Sequence, residues 1–355
     1  MPQTHFMCLR VLFLEIKYCI LTVYGVKLIQ NTLKKVQNGN ELEKNDILSL
    51  FQTKSAEDLL YLLQTACDLR NSKIKLTSTV HLTNVCKVTP KCKYCGFAAG
   101  TSHDGYYYPF FKADSEILNA AKCVERSGIP RISCSGAHGY NGSHAVNAAR
   151  LVKENTSLEL LVNVGADLNK ESLKELGEYE TDTICCNLET VNQNLFNELK
   201  PGEKLEDRIK ICNNISDSGI ELSSGLLIGL GESYIDRADH LLYLKKFKTL
   251  GEIPIMGFNP YRDTPMEYYP PCSLIEQIKT IAITRLVFPD LRITVPTPTI
   301  GPKNVKYPLI AGANNLATVI PEDYPSNVKG VGSSSYGNLK DVVSIVKELG
   351  LNLES

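Results

Sequence analysis

Residues 75–82 read KLTSTVHL and, after three further residues, residues 86–96 read CKVTPKCKYCG. The first segment is rich in β-branched residues and alternates in polarity, which predicts a β-strand. The second places Cys86, Cys92 and Cys95 within ten residues. Thiolates at this spacing can bind one soft metal centre, and an iron–sulfur cluster is the usual occupant of such a loop. The two segments therefore predict a strand that carries a metal-binding loop at its carboxyl end.

Strand-like and helix-like segments alternate along the rest of the chain, at about 25–35 residues per unit. The further predicted strands are 131–135, 158–164, 183–188, 220–228, 254–258 and 292–295. The predicted helices are 115–127, 144–154, 170–177, 205–218, 234–250 and 273–288, and segments 309–318 and 339–349 complete the chain. Such alternation is typical of a parallel sheet with crossover helices. Seven or eight units predict an α/β fold, a complete or nearly complete (βα)8 barrel of the TIM type, with its chemistry on the loops after the strands.

Helical spacing precedes the first strand, in residues 27–72. Apolar residues recur there at intervals of three and four, which predicts two or three helices that close one end of the core. Asn45-Asp46 and Ser55 are predicted to be N-caps. We therefore divide the chain into an N-terminal helical extension, residues 1–72, and a barrel, residues 73–355.

The apolar segment 6–29 is interrupted by charged residues, among them Arg10, Glu15 and Lys17. A membrane span requires about 18 or more uninterrupted apolar residues, so no such span is expected. Glu15 also argues against a signal peptide. We interpret this segment as a helix or strand packed on the barrel, and a translation start upstream of the natural one is the alternative.

Composition is that of a globular protein, with 43% hydrophobic residues and a net charge of −1. Since no long basic run is present, a nucleic-acid partner is not expected, and neither is a membrane partner. Twelve cysteines in 355 residues do not suggest a disulfide framework. They favour a reducing, cytoplasmic and anaerobic setting.

The cysteine triad resembles that of the radical S-adenosylmethionine (SAM) superfamily. The usual spacing there is C-x3-C-x-aromatic-C, whereas this chain has C-x5-C-x2-C, with Tyr94 in the aromatic position. The resemblance implies that Cys86, Cys92 and Cys95 bind a 4Fe–4S cluster whose fourth iron is open to SAM. The reduced cluster would then cleave SAM to a 5′-deoxyadenosyl radical. A zinc site is the alternative, but zinc prefers four ligands, and only His81 and His103 are candidates for the fourth.

Four later segments resemble the SAM-binding parts of the same superfamily. They are Cys134–Ala137, Asn187–Thr190, the context of Arg208, and the segment GLLIGLGE at residues 225–232. The resemblance implies a SAM-binding set of Tyr94, Ser135, Gly136, Asn187, Glu189, Arg208, Leu227 and Phe258. In this set Ser135 and Gly136 bond the methionine amino group. Asn187 and Glu189 bond the ribose hydroxyls and that amine, Arg208 pairs with the carboxylate, and Leu227 and Phe258 flank the adenine.

The resemblance is to the branch of biotin synthase and the hydrogenase maturases, and Gly312-Ala313-Asn314 also fits this branch. Biotin synthase holds a second cluster on three further cysteines and an arginine. Here Cys134 matches one of those cysteines, whereas Ser223 and Leu161 occupy the other two places. Sulfur insertion is therefore disfavoured. Cys134, Cys185 and Cys186 are interpreted as core or cleft residues.

The C-x5-C-x2-C spacing resembles one subfamily, the radical SAM proteins (HmdB, also HcgA) associated with the mononuclear-iron (Hmd) hydrogenase of methanogens. This resemblance implies a role in making the pyridinol ligand of the iron-guanylylpyridinol (FeGP) cofactor. The implied partners are a small-molecule cofactor precursor and an electron donor such as ferredoxin or flavodoxin.

Two other functions remain open. One is a biotin synthase-like enzyme or another maturase acting on a different small molecule, and the other is a cluster carrier without radical catalysis. Candidate residues of the substrate wall are His138, Tyr140, Asn163, Tyr261, Arg262, Arg292 and Thr297. Residues 106–108, three consecutive tyrosines, are expected to pack against the cysteine loop.

Overall fold

The strands of the barrel form one closed parallel sheet. The computed structural model describes residues 27–70, 73–98, 109–325 and 336–354. Within these residues the strands are β1 Lys73–Thr83, β2 Arg131–Gly136, β3 Glu159–Asn163, β4 Thr183–Cys185, β5 Glu221–Ser223, β6 Leu226–Ile228, β7 Leu250–Gly257, β8 Arg292–Pro296, β9 Asn315–Ala317, β10 Val319–Ile320, β11 Gly337–Asn338 and β12 Asn352–Leu353. The order β1-β2-β3-β4-β5-β7-β8-β9 closes because β9 also pairs with β1. Since β5 and β6 both pair with β7, they count as one interrupted position, and the predicted eight-stranded TIM-type barrel is confirmed.

Helices cover the outside of this barrel. In the described part of the chain they are α1 Lys27–Gln37, α2 Lys44–Phe51, α3 Ala56–Leu69, α4 Asp114–Arg126, α5 Ser143–Asn155, α6 Lys170–Glu178, α7 Gln193–Leu199, α8 Leu205–Ser218, α9 Tyr234–Leu244, α10 Leu274–Val287, α11 Thr297–Ile300, α12 Lys306–Ile310 and α13 Leu339–Glu348. The apolar faces of α4 to α10 pack on the strands and form one continuous core with them.

The N-terminal helices α1, α2 and α3 pack on this outer layer. Helix α2 contacts α9 and α10, and α3 contacts α10 and α12. Ile47, Leu50 and Phe51 of α2 are completely buried there. The division of the chain at residues 72 and 73 remains a prediction.

The two predicted N-caps of these helices have different outcomes. Ser55 caps α3, as predicted, by accepting a hydrogen bond from the Asp58 amide at 3.0 Å. The prediction of Asn45-Asp46 was wrong, because α2 begins at Lys44 and Glu43 is its N-cap. Asp46 instead accepts a hydrogen bond from the Glu43 amide at 3.1 Å. It therefore closes the first turn from within the helix.

Two further elements differ from the prediction. The single strand predicted over 220–228 is interrupted at Ser224-Gly225, where the backbone approaches Pro254 so closely that a Cβ on Gly225 would lie 1.9 Å from the Pro254 carbonyl oxygen. The helix predicted to reach residue 250 ends at Leu244, and β7 begins at Leu250, four residues earlier than predicted. The core at this side of the barrel therefore receives a longer strand and a shorter helix.

A polar layer fills the barrel at the end where the strands begin. All eight strand positions contribute to it, through Lys75, Arg131, Glu159, Thr183, Glu221, Glu252, Arg292 and Asn315. Arg131 and Glu252, both completely buried, form an ion pair of 2.7 Å, and Arg292 reaches Glu252 at 3.2 Å. Burial alone would raise the pKa of Glu252, but the two arginines outweigh it and hold this pKa at about 2. The layer separates the strand starts from the functional end of the barrel.

Within the described residues, none of the helices is both long enough and apolar enough to span a bilayer. The interpretations of segment 6–29, His103 and the three tyrosines at 106–108 lie wholly or mostly outside the described residues.

Candidate functional site

The cysteine loop leaves the carboxyl end of β1 and is bonded on both sides to neighbouring loops. The Lys87 amide donates to the His138 carbonyl at 2.8 Å, and the Tyr140 hydroxyl donates to the Val85 carbonyl at 2.7 Å. On the other side, the Lys93 amide donates to the carbonyl of Leu199, the last residue of α7, at 2.9 Å. The loop is therefore held between the β2–α5 connection and the end of α7.

The two extra residues of the C-x5-C spacing pack against the turn between α7 and α8. A Cβ on Gly202 would lie 2.2 Å from the Pro90 carbonyl oxygen and 2.7 Å from Val88 Cγ1. No side chain fits at this position, so the backbones of the loop and the turn are in direct contact. The longer loop is thus supported by a matching turn elsewhere in the chain.

The three cysteines line one cavity of about 230 Å³, which we call the cysteine cavity. A second cavity of about 310 Å³, the adjoining cavity, shares part of its wall. The shared residues are His81, Tyr94, Cys95, Phe97, Asn163, Asn187 and Glu189. The two cavities therefore form one cleft at the carboxyl ends of the strands.

Every residue of the predicted SAM-binding set lies on this cleft. Ser135, Gly136 and Arg208 line the cysteine cavity, and Leu227 and Phe258 line the adjoining cavity. The other three members, Tyr94, Asn187 and Glu189, lie on both. Six separate segments, among them helix α8 with Arg208, are needed to bring these side chains together.

The thiols of the loop are partly withdrawn from water. Burial raises the pKa of Cys95 to about 11. Burial also raises the pKa of Cys92, against the opposing charge of Lys200. Because a metal binds the thiolate and not the thiol, metal binding at these residues must release protons.

The arrangement differs from a single-ion site. In the described parts of the chain, no three side chains of His, Cys, Asp or Glu converge as the ligands of one metal ion do. Zinc, with Zn–S bonds of about 2.3 Å, requires its thiolates within about 4 Å of one another. A cube of four irons is a larger body and binds ligands that stand farther apart. Three thiols around one cavity fit such a cube, with one iron left for another ligand.

Four charged or titratable side chains lie together beside the cysteines. Arg208 Nε and Nη2 each lie 2.6 Å from Glu203 Oε2, and Arg208 Nη1 donates to the Asn187 carbonyl at 2.5 Å. His138 Nδ1 lies 3.0 Å from Glu203 Oε1, and Lys200 Nζ lies 3.9 Å from Glu203 Oε2. Burial favours the protonated form of Glu203, but His138, Arg208 and Lys200 together hold its pKa well below the usual value. Glu203 therefore remains a carboxylate and already occupies the guanidinium of Arg208.

Glu189 presents an unsatisfied acceptor to the cleft. Its backbone has a positive φ of 66°, a conformation that few residues other than glycine adopt. Its Oε2 atom is fully buried and has no hydrogen-bond partner among the described residues. A buried acceptor without a hydrogen-bond donor lowers the stability of the folded protein, unless a bound ligand supplies the donor. An ammonium or hydroxyl group of a bound molecule would satisfy it.

The segment at residues 225–232 is shaped by its own hydrogen bonds. The Asn187 side-chain oxygen accepts from the Gly225 amide at 2.9 Å, which leaves the amide nitrogen of Asn187 as a donor. Glu232 accepts from the Gly229 and Leu230 amides, each at 2.8 Å. Its carboxylate therefore fixes the turn after β6.

The seven predicted wall residues separate into two groups. His138, Asn163 and Tyr261 line the cleft. Arg292 was predicted wrongly, because it is the first residue of β8 and lies in the polar layer at the opposite end. Thr297 is buried and donates to the Thr318 carbonyl at 2.7 Å.

The remaining two wall candidates are also structural or peripheral. Tyr140 fixes the cysteine loop through its hydroxyl, and Arg262 is exposed. The sequence reasoning missed Lys200, Glu203, Phe97, Met256, Asn259 and Thr299, all of which line the cleft. Lys200 and Glu203 lie between two helices and carry no periodic signal, whereas Asn259 adjoins Phe258 and could have been found from it.

The places that correspond to a second cluster do not form one. The hydroxyls of Ser133 and Ser135 lie 3.4 Å apart and so share a face of β2, which puts Cys134 on the other face, in the main core. Burial raises the pKa of Cys134 to about 12. Cys185 lies in register with Ser223, and Cys186 lies against Cys212. The interpretation of these cysteines as core or cleft residues agrees with their positions.

Comparison with known families extends this picture over most of the chain. Residues 80–244 match the family described as the Radical SAM superfamily, and residues 254–325 match the Biotin and Thiamin Synthesis associated domain. The chain is 56% identical to "Uncharacterized protein MJ0785" of Methanocaldococcus jannaschii, over 89% of this chain and 85% of that protein. It is 30% identical to a biotin synthase of Clostridium botulinum, over 73% of this chain and 81% of that enzyme. It is 24% identical to the 3-methylornithine synthase of Methanosarcina acetivorans, over 90% and 92% of the two chains.

Solved structures agree with the fold. Methylornithine synthase (PylB) superposes with a TM-score of 0.81 at 20% identity, covering 91% of this chain and 97% of that one. The FeFe-hydrogenase maturase HydG from Carboxydothermus hydrogenoformans gives a TM-score of 0.78 at 17% identity, covering 92% and 79%. Because the sequence identities are low, these superpositions establish that the barrel fold is shared and nothing further.

Proposed function

Since this chain belongs to the radical SAM superfamily and is an enzyme of the branch that includes biotin synthase, we propose that Cys86, Cys92 and Cys95 hold its cluster. Members of this family use a 4Fe–4S cluster and SAM. When bound, the cluster supplies one electron that cleaves SAM to a 5′-deoxyadenosyl radical. The observation that carries the proposal is the convergence of three thiols on the cysteine cavity, which with the adjoining cavity forms one cleft that all the predicted SAM-binding residues line.

Glu189 supports the proposed place of the methionine amino group. Its buried, unpartnered Oε2 needs a donor, and an ammonium is the donor that a carboxylate binds most strongly. Asn187, with a free amide nitrogen beside it, suits a ribose hydroxyl. Leu227 and Phe258 give the adjoining cavity the apolar walls that an adenine ring requires.

Arg208 is proposed to bind the methionine carboxylate beside Glu203. Three of its five N–H donors are already used, those of Nε and Nη2 by Glu203 and one of Nη1 by the Asn187 carbonyl. A second carboxylate can therefore bind through the remaining N–H donors of Nη1 and Nη2, or by sharing the contact of Glu203.

We further propose that the radical acts on a small-molecule precursor of the pyridinol ligand of the FeGP cofactor. Support comes from the C-x5-C-x2-C spacing and the matching turn at Gly202. The adjoining cavity, at about 310 Å³, extends past the proposed adenine walls to Asn259, Tyr261 and Thr299, where a small substrate would lie. Sulfur insertion is opposed by the position of Cys134, whose side chain faces the core. Ferredoxin or flavodoxin is the proposed class of electron donor.

Anaerobic reconstitution with iron and sulfide tests the first proposal. We expect about four irons per chain, an electron paramagnetic resonance (EPR) signal that SAM perturbs, and 5′-deoxyadenosine on reduction. Alanine at Cys86, Cys92 or Cys95 should abolish all three. Cys67→Ala, on helix α3, is the matched control and should retain them. A signal blind to SAM would indicate a cluster carrier, and about six irons with a two-iron signature would indicate sulfur insertion.

A genetic experiment tests the pathway separately. In a methanogen that makes Hmd hydrogenase and lacks its own copy of this gene, the wild-type chain should restore guanylylpyridinol, as measured by mass spectrometry. Cys95→Ala should not restore it. Normal guanylylpyridinol in the deletion strain would refute the pathway and leave the radical chemistry standing.

A further inference from the structure

Lys200 is a buried lysine beside one of the cluster cysteines. It follows the last residue of α7, and only 5% of its surface is exposed. Its Nζ lies 3.5 Å from Cys92 Sγ and 3.3 Å from the Tyr94 hydroxyl oxygen. It also lies 5.3 Å from the centre of the Tyr94 ring. An ammonium withdrawn from water in this way requires a compensating negative charge.

The nearby carboxylate does not supply that charge in full. Glu203 lies 3.9 Å from Lys200, beyond hydrogen-bond distance. It is bonded more closely to Arg208, at 2.6 Å, and to His138, at 3.0 Å. Arg208 alone balances the one negative charge of Glu203. The nearest polar partners of the Lys200 ammonium are therefore Cys92 and Tyr94.

We propose that Lys200 is a positioning residue that sets the reduction potential of the cluster, by donating a hydrogen bond to the sulfur of Cys92. This inference rests on the proposed function. Reduction adds one electron to the cluster, supplied by the external donor, and breaks no bond. A fixed ammonium stabilises that added negative charge and makes the cluster easier to reduce. At an effective dielectric constant of about 20, opposite charges a few ångströms apart shift an equilibrium by more than tenfold.

The alternative role for Lys200 is purely structural. A cation near the end of α7 would stabilise the carbonyl groups of its last turn. In that role Lys200 would affect folding and the placement of Cys92 but not the potential of a cluster already bound. The potential therefore separates the two roles.

The experiment is a redox titration of the reconstituted protein, followed by EPR, with dithionite as reductant and without SAM. Lys200→Met removes the charge at similar length, and Lys200→Arg keeps it. Lys210→Met is the matched control, because Lys210 is an exposed lysine on α8. We expect Lys200→Met to lower the equilibrium constant for reduction of the cluster at least tenfold. For one electron this is a fall of about 59 mV in the midpoint potential. Lys200→Arg and Lys210→Met should stay close to the wild type.

An unchanged midpoint in Lys200→Met, at full iron content, would overturn the inference. Should Lys200→Met lose the cluster, Lys200→Gln is titrated in its place. Loss of the cluster from Lys200→Met, Lys200→Gln and Lys200→Arg would show that Lys200 has a purely structural role. That result would also overturn the inference. A wild-type protein that binds no four-iron cluster would instead refute the proposed function, so the two failures are distinguishable.

Discussion

Gly202→Ala tests whether the turn between α7 and α8 supports the long cysteine loop. The new Cβ would lie 2.2 Å from the Pro90 carbonyl oxygen, 2.7 Å from Val88 Cγ1 and 2.9 Å from the Thr89 carbonyl carbon. Two of these atoms belong to the backbone and cannot rotate away. Gly202 does not have a positive φ, so alanine is compatible with its backbone and the effect of the substitution is confined to this contact.

The size of the disturbance follows from these distances. An unstrained contact is about 3.5 Å or more, so the loop and the turn must separate by about 1 Å at Pro90. Overpacking of this kind costs about 1–3 kcal/mol, which a barrel of this size tolerates. Pro90 lies between Cys86 and Cys92, however, and functional groups must be held to within about 0.5 Å. Cluster binding should therefore suffer more than folding.

The assay is the iron content of the reconstituted protein, with circular dichroism as the check on folding. We expect Gly202→Ala to retain less than about half of the wild-type iron while its spectrum stays native. Gly177→Ala is the matched control, since its Cβ meets only Ile220 Cδ1, at 3.9 Å. Full iron and an unchanged response to SAM in Gly202→Ala would refute the role of this turn.

Three other substitutions test the remaining features. Glu189→Ala should keep the cluster and weaken SAM binding by about 1.5–3 kcal/mol, measured by calorimetry, and an unchanged affinity would remove Glu189 from the site. Glu252→Gln should lower the free energy of unfolding by about 3–5 kcal/mol in urea titrations, because it leaves the buried Arg131 with only the more distant Glu159, at 4.0 Å, as a counter-charge; a loss below about 1 kcal/mol would contradict this. Burial lowers the pKa of His240 to about 3, below its value in the unfolded chain. Stability should therefore fall by about 1.4 kcal/mol per pH unit from about pH 6.5 towards pH 3, and His240→Leu should flatten this slope in urea midpoints compared between pH 4.5 and 7. A slope like that of the wild type would contradict the assignment to His240.

The alternation of strand-like and helix-like segments was sufficient to predict the barrel and most of its outer helices. It was also sufficient to place Ser135, Glu189 and Leu227 near strand ends, because strand ends in a parallel barrel meet at one mouth. The interruption between β5 and β6 was not predictable, since it depends on the approach of Pro254 from β7, which neighbours them in the sheet but follows a helix later in the chain. Local pattern carries no information about such contacts.

Two errors at the site have different physical causes. Arg292 was placed at the mouth although the predicted strand 292–295 already begins at this residue, and the first residue of a parallel barrel strand lies at the end opposite the mouth. Lys200 was missed because it lies in the connection between α7 and α8, where no periodic pattern marks a functional residue. Its importance comes from the contact with Cys92, which is 108 residues away in the chain.

The polar layer at the strand starts constrains how the barrel assembles. Each of the eight positions gives it one member, so a half-barrel would hold Arg131 without Glu252, or Glu221 without Arg292. Such a fragment would lose these ion pairs and would leave the interior faces of its strands open to water. Closure of the circle is thus an all-or-none event, and splitting the gene between strands should yield pieces that regain structure only when they meet.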